Sequence, residues 1–219
     1  WLLRLGQCEL AASRFPAARE AFSKALSAGK DYLLPAATYL LGESAFRMGD
    51  WAEAEKRYAE LLAREPDGDY AKDAEYGLAW CAFRSRQNDV AIGRIRKFLS
   101  RYPDDPLALE LCFLEGEAHL DASRPKEALE AYRAVKSGPF EDAALRGAAF
   151  SRAALGDRAG AARDFGALVE RFPKSPFVAE AALQRGVQLL EAGDAKAAAE
   201  ALAHPAAGES PDVLYWRGR

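Results

Sequence analysis

The sequence predicts an all-α protein, an α-solenoid of antiparallel helix pairs. Two observations carry this. An alanine followed four residues later by a bulky side chain recurs at Ala18–Phe22, Ala54–Tyr58, Ala91–Ile95, Ala128–Tyr132, Ala161–Phe165 and Ala198–Leu202, in steps of 36, 37, 37, 33 and 37. A second column of small residues, Gly6, Gly42, Ala79, Gly116, Ala149, Gly186 and Gly218, keeps nearly the same steps. Two columns with one period are the signature of a repeat array. Residues four apart share a helix face, so the small residue lets paired helices approach and the large one fills the gap toward the next unit. One hairpin cannot bury its apolar face alone, so the units must stack.

The expected organisation is a single array of about six units plus a partial seventh, near 1–34, 35–70, 71–105, 106–140, 141–175, 176–210 and 211–219. The first unit carries Gly6, Ala18 and Phe22. The second turns at Gly49-Asp50 and stops at Pro66, since Gly tolerates a left-handed helix end and Pro cannot continue a helix. The third is expected to turn at Asn88-Asp89 and stops at Pro103. The fourth opens with Asp105-Pro106, an N-cap with Pro in the first turn. The fifth turns at Gly156-Asp157 and stops at Pro173. The sixth opens with Ser175-Pro176 and turns at Gly193-Asp194. A seventh begins at Val213 and runs to Gly218.

Composition narrows the function classes. Half of the 219 residues are apolar and 29% are charged, which suits an ordered chain. The net charge of −3 argues against a nucleic-acid surface. No apolar run reaches the roughly 20 residues that span a bilayer, so no direct membrane insertion is expected. Cys8, Cys81 and Cys112 have neither disulfide nor zinc spacing and are expected to be packed, inert thiols. His119 and His204 form no metal-binding or HExxH pair, and no GxSxG, GxxxxGKS or GxGxxG is present. The expectation is a non-enzyme without metal or cofactor.

The spelling resembles the tetratricopeptide repeat family, whose motif runs through a bulky residue, Leu-Gly, a Gly before an aromatic, an Ala, an aromatic and a terminal Pro. Leu41, Gly42, Gly49, Trp51, Ala54, Tyr58 and Pro66 match it in order, as do Leu5, Gly6, Phe15, Ala18 and Phe22 in the first unit. The fourth unit departs, with Ser123 in place of the turn Gly and Pro125 in place of the turn aromatic. The resemblance covers essentially the whole chain. The linkers YPDDPLALE and FPKSPFVAE and the helix YLLGESAFRMGD are similar to a narrower bacterial envelope subgroup, the Tol-Pal coordinator and the lipoprotein of the outer-membrane assembly machinery.

The resemblance implies a right-handed superhelix whose first helices line a concave groove that grips a protein or peptide partner. Mapped on this chain, the groove takes Tyr39, Glu43, Phe46 and Arg47, then Tyr76, Trp80, Phe83 and Arg84, then Phe113, Glu117, Leu120 and Asp121, then Arg146 and Phe150. For Tyr39, Tyr76 and Phe113 a second reading stands beside this one: the rings pack inside their own hairpins. The carboxylate clamp found in some members of the family has no counterpart, since its positions hold Gln7, Glu43, Trp80 and Glu117. Arg94, Arg96, Lys97 and Arg101 form a basic patch, read either as a contact for an acidic partner or lipid headgroups or as a solvated face.

Three functions follow as expectations. The first is a non-catalytic scaffold in a bacterial envelope complex, periplasmic or envelope-associated. The second is a cytoplasmic regulatory peptide-binding module. The third is a structural spacer assembling through its ends. The chain begins at Trp1, so a longer protein is expected, and apolar ends at Trp1 and Trp216 are expected to be exposed and to support end-to-end self-association.

Overall fold

The computed structural model describes residues 1–219, which form thirteen α-helices, two short 3₁₀ turns and no strand. The chain divides into two compact units, residues 1–108 and 109–219. The first holds α1 (Leu2–Ala11), α2 (Phe15–Ser27), α3 (Leu34–Arg47), α4 (Trp51–Arg64), α5 (Ala71–Arg84) and α6 (Asn88–Arg101). The second holds nearly all of α7 (Leu107–Asp121), then α8 (Pro125–Ala134), α9 (Glu141–Ala154), α10 (Arg158–Arg171), α11 (Val178–Glu191), α12 (Ala195–Ala203) and α13 (Pro211–Gly218).

The repeat columns are the core. Ala18, Ala54, Ala91, Ala128 and Ala161 are fully buried, and Phe22, Tyr58, Ile95, Tyr132, Phe165 and Leu202 are buried beside them. In the first unit each helix from α1 to α5 packs on its successor, and in the second each from α8 to α11 does so. The small-residue column works by contact. A methyl on Gly6 would stand 2.4 Å from the Phe22 ring, and one on Gly186 would stand 2.4 Å from Leu202. No side chain fits there, so glycine sets the interhelix distance.

The turns explain the Gly-Asp spelling. Gly49, Gly156 and Gly193 have φ of +77°, +82° and +87°, the left-handed end of one helix. The following Asp caps the next helix: Asp50, Asp157 and Asp194 accept the amides of Glu53, Gly160 and Ala197. Asn88-Asp89 is not the third turn. Asn88 already begins α6, and the left-handed residue is Arg86 at φ +60°. The 37-residue step from Gly49 falls on that arginine, and the asparagine's turn propensity misleads. Ser13 and Ser123 take the same conformation in their turns.

Pro66, Pro103 and Pro173 each follow the C-cap of a helix. Asp105 and Ser175 do accept amides, from Leu107 at 2.9 Å and Phe177 at 3.2 Å. Those bonds close turns just ahead of α7 and α11, whose first residues are Leu107 and Val178 rather than the prolines.

Candidate functional site

Five of the expected groove residues meet in the first unit. The Phe46 ring stands edge-on to Trp51 at 5.0 Å. Trp80 meets Tyr76 at 6.4 Å and Phe83 at 6.1 Å, both edge-on. The Arg84 guanidinium lies over both indoles, 5.4 Å from Trp80 and 6.0 Å from Trp51. Helices α3, α4 and α5 therefore converge on one aromatic cluster crossed by a cation. Arg84 is exposed and makes no ion pair. The indole Nε1 of Trp80 is buried without an acceptor. An exposed cation held over rings is the means to hold a carboxylate or a backbone carbonyl. Trp51 is the member of this cluster that sequence reasoning left out of the groove. Its turn position, directly after Gly49-Asp50, was the available signal.

The other first-unit groove residues serve packing. Tyr39 stacks on Tyr70 at 5.1 Å and leans on Tyr58 at 5.9 Å. Glu43 accepts the Tyr58 hydroxyl at 3.2 Å and the Arg47 Nε at 2.7 Å, and Arg47 is exposed. Burial, with the Glu43 carboxylate next in weight, pushes the Tyr58 phenol well above its ordinary range.

The second unit repeats this packing. Phe113 stacks on Phe140 at 5.2 Å and meets Tyr132 at 6.1 Å, and the Tyr132 hydroxyl donates to Glu117. Asp121 is exposed and Leu120 packs against the Tyr132 cluster. Arg146 is sandwiched between Phe150 at 4.9 Å and Phe177 at 5.1 Å. Its two contacts to Glu180, at 2.5 and 3.0 Å, raise its pKa, and the carboxylate balances its charge. The Phe150 ring also sits edge-on to Phe165 at 5.1 Å. Arg146 is thus a paired cation, unlike Arg84.

The basic patch of α6 is largely solvated, with Arg96, Lys97 and Arg101 exposed, yet it is tied down by ion pairs. Arg94 pairs with Glu55 and donates to the Leu78 carbonyl at 2.8 Å. Lys97 and Arg101 both reach Glu75 Oε1 at 3.0 Å, and Arg101 also pairs with Asp67. Glu75 is only 5% exposed. These cations fasten α6 to the preceding helices and linker.

Two further expectations change. Cys81 is buried, Cys112 is half-buried, but Cys8 is exposed. At the ends, Trp1 is 87% exposed, whereas Trp216 is half-buried beneath Arg219, and Leu214 and Tyr215 are the exposed apolar side chains there. His119 is buried near Glu115, and His204 accepts the Ala206 amide. No group of three or more metal-ligating side chains comes together, and no helix is long and apolar enough to cross a membrane.

Antiparallel helix pairs with glycine-set spacing and left-handed turns define a tetratricopeptide-type α-solenoid. Residues 33–191 match the family described as YfiO, outer membrane lipoprotein, and the chain belongs to that family. It is 25% identical over 142 residues to the outer membrane protein assembly factor BamD of Xylella fastidiosa strain 9a5c, covering 63% of this chain and 42% of that protein. A 57-residue stretch is 33% identical to BamD of strain Temecula1, covering 26% of this chain and 20% of that one. The chain thus spans less than half the length of these relatives.

Among solved structures, the fold is similar to PilW, a type IV pilus biogenesis factor, with a TM-score of 0.69, 17% identity, and 98% and 96% of the two chains covered. It is also similar to a tetratricopeptide repeat protein of Parabacteroides merdae, with a TM-score of 0.71, 16% identity, and 99% and 83% covered. At these identities the likeness concerns the fold.

Proposed function

We propose that this chain is a non-catalytic scaffold in a bacterial envelope assembly, serving outer-membrane protein assembly as its relatives' name describes, and that it docks a protein or peptide partner. The single observation that carries the docking site is Arg84, an exposed cation without an ion pair, held over Trp51 and Trp80. Aromatic and arginine side chains in such clusters dominate binding energy at interfaces. Family membership supports the envelope setting. In this reading residues 1–219 form one array with the unit boundaries given above. The docking groove is centred on Phe46, Tyr76, Trp80, Phe83 and Arg84, and Trp51 joins it. Tyr39 and Glu43 support it through Tyr58, and Glu117 plays the same part for Tyr132 in the second unit. Arg47, Asp121, Arg146 and Phe150 are secondary contacts. Exposed Trp1, Leu214 and Tyr215 support a weaker self-association of the polypeptide.

The test is complementation with the full-length gene carrying Phe83→Glu and Arg84→Glu. Outer-membrane protein levels are expected to fall while the abundance and melting temperature of the variant stay unchanged. Full complementation by a stable variant contradicts the reading.

A further inference from the structure

A second site lies in the other compact unit and uses none of the groove residues. Helix α8 has 10 residues, whereas α4, α6 and α10 have 14 each. The reason is local. Val135 is extended, Gly138 takes φ +92°, and Pro139 disfavours helix in the residue before it. The last turn of the helix is therefore missing, and its place is an open cleft of about 350 Å³ between α8, α9 and α10. Half-buried Leu145 is the apolar side chain that the cleft offers, above Val135 and Ala148, which belong to the buried core.

The rim is cationic. Arg152 and Arg171 line it, but they are held by Asp164 and Glu141, carboxylates of the same cleft. Arg133 and Lys136 line it as well, are exposed, and make no ion pair. Arg152 also pairs with Asp157 just outside the cleft, so four cations against three carboxylates leave a local excess of one positive charge, in a chain whose net charge is −3. The sign therefore belongs to the cleft and not to the protein as a whole.

We propose that this cleft docks an acidic amphipathic segment of a partner protein, with an apolar side chain against Leu145 and its carboxylates on Arg133 and Lys136. The charge imbalance selects the occupant: a basic segment is repelled, and a purely apolar one leaves both free cations facing it. The proposal does not depend on the aromatic groove, since the two sites share no residue.

The test uses the whole chain and a short labelled peptide with leucines at helical spacing and glutamates elsewhere, read by fluorescence anisotropy at low salt. The glutamate peptide is expected to bind, and its lysine counterpart is not. Reversing both free cations, Arg133→Glu with Lys136→Glu, removes two attractions and adds two repulsions, so affinity is expected to fall about tenfold. Reversal of Lys126, exposed on α8 and outside the cleft, is expected to leave binding within about twofold, the scale of one screened surface charge. All three positions lie at the surface, so unchanged melting temperatures separate docking from folding. Equal binding of the lysine peptide, no response to the double reversal, or binding of phosphatidylglycerol vesicles in place of the peptide overturns the proposal.

Discussion

The Tyr58 hydroxyl donates to Glu43 at 3.2 Å, the residue directly after the glycine that its own ring covers. The ring is wedged between Gly42 and Gly77, where added methyl groups would stand 2.8 and 2.5 Å from it. The second unit repeats the arrangement residue for residue. Tyr132 lies between Gly116 and Gly147 and donates to Glu117. One tyrosine thus spans three helices twice over, filling two glycine gaps and satisfying its hydroxyl on the first of them.

Glycine substitutions are expected to take opposite signs. Ala gains up to about 1 kcal/mol over Gly in a helix interior. In Gly147→Ala that gain loses to overpacking of about 1–3 kcal/mol, because the Tyr132 ring has Gly116 on its other side and cannot retreat. Gly93, inside α6, has open space where its methyl would go. Gly93→Ala should raise stability and Gly147→Ala should lower it in urea unfolding.

Removal of the tyrosine hydroxyl leaves a partly buried carboxylate without its donor. Tyr132→Phe is expected to cost about 1 to 2 kcal/mol, the scale of a hydrogen bond to a charged acceptor with some access to water. Adding Glu117→Gln should cost less than the sum of the two single changes, a coupling that a double-mutant cycle measures.

Glu75 is the buried anion that collects Lys97 and Arg101, so losing both cations strands its charge. Asp67 also meets Arg101 but is 84% exposed. Lys97→Ala combined with Arg101→Ala, which leaves the buried Glu75 anion unpaired, should lower the melting temperature clearly more than Asp67→Ala, which removes a surface charge.

Alkaline pH should destabilise the chain through Cys81. Burial pushes its thiol up to about 12, so the folded state keeps the proton that the unfolded chain releases above its ordinary value of 9.0. A raised folded pKa means stability is full below pH 9 and falls as pH rises from there toward 12. The buried Tyr58 and Tyr132 add the same sign above pH 10. Cys81→Ala should flatten the onset between pH 9 and 10. In thiol labelling of the native chain, Cys8 should react first and Cys81 only on unfolding.

The period, the helix pairing and the core columns were legible because they rest on one-dimensional spacing: Ala54 and Tyr58 announce their roles by being four apart and by recurring. What the sequence hid depends on partners distant along the chain. The α6 basic run reads as a free patch until Glu55, Glu75 and Asp67, some 26 to 39 residues away, are placed against it. Arg86 was hidden because arginine carries no left-handed preference, although its place in the period marked it. Trp51 joined the site only when α4 brought it beneath Arg84. The short unit was visible as a 33-residue step, but the loss of the last turn of α8 rather than of a loop was not.

The central claim is that the aromatic cluster crossed by Arg84 is a docking surface, and in-cell photo-crosslinking tests it most directly. A photoreactive residue at Phe83 in the full-length protein is compared with one at Lys56, exposed on α4. One dominant envelope-protein adduct at position 83, absent at 56 and lost with Arg84→Glu, is the predicted result. No adduct at 83, or the same adducts from both positions, contradicts it.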